Sequence, residues 1–403
     1  MMGHPAMDHE PGSSSLRRPL FPRPFLLCAV FAVLATLLFA QIVPQYAPGL
    51  LRFEHMLGDV RTAYLSDQLP SQHPLVAIAS ITDETLKESK IRQPIDRALL
   101  ARLVDAVDAA GAKVIGIDVL FTRVPPPDNE DKLIEAVGRA RAKVVLAAGD
   151  ERMGLPKAQM DRQARFIAEA SRQAGYINLA VERDWIVRFK AKPAPGSAFP
   201  KSFAQLLAEG AGYRSDEARP RIAWLREPRD GSDTFLTVPA EILLRPADDD
   251  AAQKARAGLK DKVVIIGGMF PDIDRHLTPL SARTDEMQTG AVIHAHIVAE
   301  LVDGRGIGQL ETNSLALKLE LAVVAALAFL IGWRTRLKRQ GVLLGSFATV
   351  AIIAVDTFVF WQWRIILPIV LALLAWFLGE FTGHYIGKWL GQRRSDRSRW
   401  FVR

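Results

Sequence analysis

Three polar clusters that follow short apolar runs carry the chain's most concentrated chemistry. Asp83 and Glu84 follow the run ending at Ile81, Asp118 sits late in a second run, and Asp272, Asp274, Arg275 and His276 follow a run ending at Ile266. Carboxylates with one imidazole suit Mg, Mn or Zn, so Asp83, Asp118, Asp274 and His276 form a chemically reasonable metal set, although their spacing is no recognised ligand motif. The same residues equally form a salt-bridge and hydrogen-bond network or an organic-ligand site. Asp118 is the most demanding, because its run is apolar on both sides and a buried carboxylate requires a partner. Arg97, Arg275 and His276 are the partners expected for it. His294 and His296, two residues apart on a helical stretch, are rotated by about 200° and cannot share one ion there. His294 is expected to be a core or interdomain hydrogen-bonding residue. No G-x-S-x-G elbow presents Ser202 or Ser281 as a nucleophile, and Gly267 and Gly268 lack the fuller G-x-G-x-x-G spacing. No catalytic residue or cofactor is therefore assigned. The candidates for ligand binding or a structural network are Asp83, Arg97, Asp118, Asp274, Arg275, His276 and His294.

These residues need elements to hold them. The runs 75–81, 114–121, 144–148 and 263–266 read as buried strands, and Leu99, Leu100, Leu103, Val104 and Val107 recur at helical spacing until Gly111. Asp128, after three prolines, is placed to cap a helix through Val137. Helices are expected over 166–174, 199–209 and 291–302, and a helix or an irregular connector over 52–69; short strands are expected over 176–181, 185–189 and 235–238. Asp248, Asp249 and Asp250 read as a solvated helix start. Strands alternating with helices predict right-handed crossovers and a mainly parallel α/β sheet, at whose carboxyl edge ligands tend to bind.

Apolar runs at 25–43, 319–333, 342–361 and 365–381 read as four membrane spans, one N-terminal and three C-terminal. Arg17, Arg18 and Arg23 precede the first, Arg334, Arg336, Lys338 and Arg339 lie between the second and third, and Lys388, Arg393, Arg394, Arg397, Arg399 and Arg403 follow the fourth. The positive-inside rule then puts both termini in the cytoplasm and the large domain outside it. Residues 44–315 hold 36 Lys and Arg against 38 Asp and Glu, whereas the whole chain carries +7. The excess positive charge therefore reports membrane orientation, and nucleic acid is not an expected partner. Cys28, the single cysteine, lies within the first span, so the exported domain relies on its core and contains no internal disulfide. Asp356, Glu380 and His384 are ionisable groups within or beside spans, expected to act as interface anchors.

The most specific runs are Gly111-Ala112-Lys113-Val114-Ile115-Gly116-Ile117-Asp118-Val119-Leu120-Phe121 and Lys262-Val263-Val264-Ile265-Ile266-Gly267, followed by Asp274, Thr278-Pro279, Gly290 and His294-Ala295. With Asp59-x-Arg61, Ile81-Thr82-Asp83-Glu84, and Pro94 and Arg97, this pattern resembles the extracytoplasmic sensor called the CHASE type 2 domain of bacterial receptors. The likeness covers roughly residues 55–305 and continues into the three-span module; Gln93 stands where the family commonly has tryptophan. The resemblance implies a sensor in the plasma membrane. The expected organisation is a disordered tail 1–24, a span 25–43, a sensor 52–310, a membrane module 319–383 and a basic tail 384–403. Family members usually lead into a cyclase or kinase, and about 20 residues after the last span are too few for one. The expectation is therefore a non-enzymatic sensor acting through a separate signalling protein. Its partners would be the bilayer, an extracytoplasmic ligand of unidentified chemistry, that protein and a second copy of the chain. The competing expectation is a membrane-tethered, metal-dependent enzyme using Asp83, Asp118 and Asp274.

Overall fold

Elements change along the chain where apolar residues switch between helical and strand spacing. The computed structural model describes residues 23–87, 94–124, 129–214, 219–310, 314–335 and 338–400. The N-terminal tail through 22 with Arg17 and Arg18, Gln93, Asp128, Arg336 and Arg403 lie outside the described residues. Helix α1 (Arg23–Tyr46) precedes α2 (Pro48–Leu65). Then come β1 (Val76–Ile81), α3 (Arg97–Ala109), β2 (Val114–Asp118), α4 (Asn129–Arg139), β3 (Lys143–Ala148), α5 (Lys157–Ala170) and β4 (Gln173–Tyr176). The middle of the chain supplies β5 (Ala180–Val181), β6 (Val187–Phe189), α6 (Phe203–Gly210), β7 (Leu236–Pro239), α7 (Ala240–Leu243), α8 (Asp250–Leu259) and β8 (Val263–Gly268). Beyond it lie β9 (Arg275–His276), α9 (Ser281–Thr284), β10 (Gln288–Thr289), α10 (Gly290–Asp303) and β11 (Gly308–Gln309). Last are α11 (Leu315–Arg334), α12 (Lys338–Trp363), β12 (Ile365–Ile366) and α13 (Ile369–Trp400).

Two compact units result, one of residues 47–311 with 353–369, the other of the N-terminal residues through Tyr46 with 312–352 and 370–403. In the larger unit six strands form a parallel sheet in the order β4-β3-β2-β8-β1-β7. One face is covered by α3, α4, α5, α7 and α8 around Leu100, Leu103, Leu133 and Phe166; the other is covered by α6 and α10 around Phe203, Leu207, Ile293 and Val298. Both faces are thus packed, which explains why β1, β3 and β8 read as continuous apolar runs. The aspartates of 248–250 are a helix start as expected, with Asp249 accepting from the Ala252 N–H at 2.9 Å.

Several boundaries differ from the sequence expectation for physical reasons. The helix expected over 166–174 ends at Ala170, where Ser171 takes φ +49°, and 173–176 becomes edge strand β4. A Cβ on Gly175 would lie 2.6 Å from the Phe203 backbone nitrogen, so the close approach of α6 to β4 needs glycine. Strand β2 stops at Asp118, short of Phe121. Residues 365–366, expected to open the last span, instead pair parallel with Gly308 and Gln309, and α13 begins only after Pro368.

The smaller unit packs helices. Ala32 of α1 lies against Phe329 of α11. Gly379, Gly383 and Gly387 of α13 meet α11 so closely that a Cβ on Gly383 would stand 2.2 Å from the Phe329 carbonyl oxygen. Among the described residues three helices are long and apolar enough to cross a membrane, namely Leu315–Arg334, Arg339–Trp363 and Ile369–Trp389, whereas the apolar stretch described in α1, Leu26–Leu38, is shorter.

Candidate functional site

Strand order sets the carboxyl ends of β2 and β8 side by side. The chain leaves β2 for α4 on one face of the sheet and leaves β8 for α10 on the other, so the carboxyl ends of these neighbouring strands are a topological switch point. Asp118 is the last residue of β2 and pairs in register with Gly267. A Cβ on Gly267 would lie 3.4 Å from the Asp118 carboxylate and 2.8 Å from Ala291 in the first turn of α10. Gly267 therefore lets helix and carboxylate share one space. Asp274, held at φ +54°, accepts a 2.9 Å hydrogen bond from the Gly290 N–H with one carboxylate oxygen, and its other oxygen lies 2.8 Å from His276 Nε2. It caps the N-terminus of α10, since Thr289 makes no side-chain cap. Gly290 is needed there, because a Cβ would fall 2.3 Å from Asp274 Oδ2. His294, one turn into α10, packs edge-on against Phe203 with ring centroids 5.6 Å apart.

Electrostatics separates the roles of these groups. Burial, reinforced by the negative charge of Asp274, pushes the Asp118 carboxyl up to about 8, so it is largely protonated at neutral pH. Among the described residues no cation reaches it. Burial lowers His294 to about 4, against the opposing pull of Asp274, and its Nδ1 has no hydrogen-bond partner. The switch point thus combines a neutral carboxyl, a second carboxyl group hydrogen-bonded beside an imidazole, and a neutral buried imidazole. Such a set can donate to, accept from and exchange protons with a small polar ligand.

The expected set is only partly brought together. Asp118, Asp274, His276 and His294 gather at the switch point, while Asp83 is exposed in the turn after β1. Arg97, expected beside Asp118, lies on the other face, fully buried, with its guanidinium 4.5 Å from the centroid of the Phe121 ring. Burial lowers it to about 10. Arg275 pairs through its backbone with Thr289 and lines a cavity of about 470 Å³ that also touches Met269, Phe235, Arg283 and His296. His296 packs on Trp224 and Phe235 instead of sharing the surroundings of His294. Among the described residues no three His, Cys, Asp or Glu side chains come together to hold a metal.

A second centre was not apparent from the sequence. Asp59 and Arg61 stand two residues apart on α2 and so project to opposite sides. Asp59 accepts from Arg188 of β6 at 2.8 and 2.6 Å, and the same guanidinium reaches Glu182 at 2.6 Å and Asp184 at 2.7 Å. Burial opposes the charge of Arg188, yet these carboxylates raise its pKa above the ordinary arginine value. Arg221 lies 3.6 Å from Asp59 and over the Phe189 ring. On the opposite side of α2, Arg61 forms an ion pair with Asp356 near the end of α12, whose carboxylate also accepts from the Leu367 N–H at 3.1 Å. Glu54 accepts from the Ile369 N–H at 2.9 Å. Asp356, expected as an interface anchor, is instead 1% exposed within this network. Glu380 accepts from Trp376 Nε1 at 3.0 Å, and His384 Nδ1 lies 3.2 Å from the Thr335 carbonyl.

A three-layer α/β domain with a polar switch point, joined in one chain to apolar helices of membrane-spanning length, has the build of a membrane-anchored protein. The family described as the CHASE2 domain matches residues 29–333, and the chain belongs to it. CHASE2 is an extracellular sensory domain family. No curated protein and no solved structure matches the chain significantly.

Proposed function

We propose that the protein is an extracytoplasmic sensor that takes a small polar ligand at the β2–β8 switch point and passes a conformational bias through α2 and α12 to a separate signalling protein. The observation that carries this reading is α2 itself. Its two motif residues bind different partners, Asp59 the β6 arginine and Arg61 the buried Asp356 of α12. A ligand with equal affinity for two states shifts neither, so the bound state must differ in this packing. In this reading the N-terminal helix is a fourth span, both termini are cytoplasmic and the α/β domain is periplasmic or extracellular, as the basic residues beside the spans favour.

Accessibility labelling tests the orientation. With Cys28→Ser as background, Asp230→Cys should react with an impermeant maleimide on intact cells and Gln340→Cys only after permeabilisation. The reverse pattern would overturn the topology. Crosslinking in native membranes should recover a second protein; repeated recovery of the chain alone would remove the partner.

One observation favours a second reading. A carboxyl whose proton affinity is raised, Asp118, stands near a second carboxyl, Asp274, that is hydrogen-bonded to His276, and a general acid and base can be built from such groups. A membrane-tethered enzyme at this switch point would, in its metal-dependent form, carry metal on purification. Metal analysis that finds none, with a melting curve unchanged by chelator, rejects that form.

A further inference from the structure

We propose that a small oxyanion of the phosphate class binds in a second, separate site, a cavity of about 120 Å³ where the end of α2 meets the segment after α12. It is lined by Ser66, Asp67, Arg219, Trp224, Arg305 and Arg364. The backbone arrangement follows from neighbouring contacts. Arg364, at φ +55°, forms an ion pair with Asp67; Arg219 donates to the Gly306 carbonyl at 2.7 Å; and Arg305 donates to the Ala223 carbonyl at 2.7 Å and to Asp303 at 2.8 Å. Ala223, Ile307, Phe360 and Ile366 form the apolar wall behind it.

Two observations point to an anion. Three guanidinium groups line the cavity against one carboxylate, Asp67. Independently, Ser66 Oγ, Trp224 Nε1 and Arg305 Nη2 are buried atoms without any hydrogen-bond partner, and the first two belong to buried residues, with Trp224 1% and Ser66 3% exposed. Buried polar groups in native proteins are almost always paired, and two of these three can only donate. An acceptor with several oxygens and negative charge completes them, and a charge-assisted set of this kind suits phosphate. The volume admits one such group and excludes a nucleotide. The proposal does not depend on the switch-point cluster, which lies on other elements. Its consequence is structural, because the bound ion would bridge the end of α2 and the residue following α12, the same two elements that Arg61 and Asp356 join.

The phosphate has two sources, a free ion or a lipid headgroup, and one experiment separates them. Binding of inorganic phosphate by the full-length protein is measured by calorimetry in maltoside detergent and in phospholipid nanodiscs, with chloride at equal ionic strength as reference. In maltoside the affinity should fall about tenfold in Arg305→Lys and about fivefold in Trp224→Phe, the scale of one lost hydrogen bond, while Lys157→Ala on exposed α5 is unchanged. Phosphate binding in both media assigns the site to the free ion. Binding in maltoside that vanishes in nanodiscs assigns it to a lipid phosphate already in place. No binding in maltoside, or equal binding by wild type, Ser66→Ala and Trp224→Phe, overturns the site.

Discussion

At the scale of the residue, Asp118 is the group whose environment most alters its chemistry. Its carboxyl titrates near 8 in the folded chain, for reasons of burial and of Asp274, and near 4 when unfolded. The folded state therefore holds the proton over a window in which the unfolded state has lost it, and stability falls as pH rises from about 4 to about 8. His294 and His296 act in the other direction. Burial lowers them to about 4 and about 3, so stability falls as pH drops below about 6.5, where the unfolded imidazoles take up protons. The region above pH 6.5 thus isolates the carboxyl. Asp118→Asn should flatten the thermal midpoint between pH 6.5 and 8.5, where the wild type declines; parallel curves would show that Asp118 ionises normally. The sequence made Asp118 visible because one acid ended an apolar run. It could not show that the charge acting on it is that of another acid, Asp274, since that depends on where the loop after β8 returns.

At the scale of the element, glycines decide how closely helices approach. Gly379, Gly383 and Gly387 recur every fourth residue and place α13 against the backbone of α11. In a membrane, where helices gain nothing from apolar burial against one another, such small residues allow the van der Waals contact that joins them. Gly383→Leu should destabilise the full-length protein in detergent by about 3 kcal/mol, because the new side chain meets the Phe329 carbonyl. An unaltered melting midpoint would mean that the helices separate easily. This spacing is legible in the sequence, whereas the span boundaries were less so. Apolarity alone ran the last span back to residue 365, but pairing of Ile365 and Ile366 with Gly308 and Gln309 and the position of Pro368 delay the helix. Likewise Phe166 and Ala170 carried a helical pattern past Ser171, and only the packing of Gly175 under α6 made the next residues a strand.

At the scale of the whole molecule, the stability of the larger unit depends on buried charges that are worth little alone. Arg61 and Asp356 side chains are 7% and 2% exposed, so removing one leaves the other uncompensated. Arg61→Met or Asp356→Leu should each cost about 3 to 5 kcal/mol, while the double variant should recover much of that loss. Additive losses would show that the pair does not couple. If the pair carries the signal, the double variant should fold and bind phosphate or ligand but fail to change its crosslinking to the partner on ligand addition.

Composition and local spacing alone determined that this chain has apolar helices for a membrane, an α/β domain and the motifs of its family, because hydropathy and helix or strand period are properties of neighbouring residues. Tertiary structure alone decided which charges meet. It sent Arg97 to the far face of the sheet, paired Asp59 with Arg188 and Arg61 with Asp356, and left Ser66, Trp224 and Arg305 around one cavity. Asp59 and Arg188, Arg61 and Asp356, and Ser66 and Trp224 are each separated by more than a hundred residues of chain, and no local period connects them; only the order in which the parallel strands assemble and the chain's return past α12 bring them together.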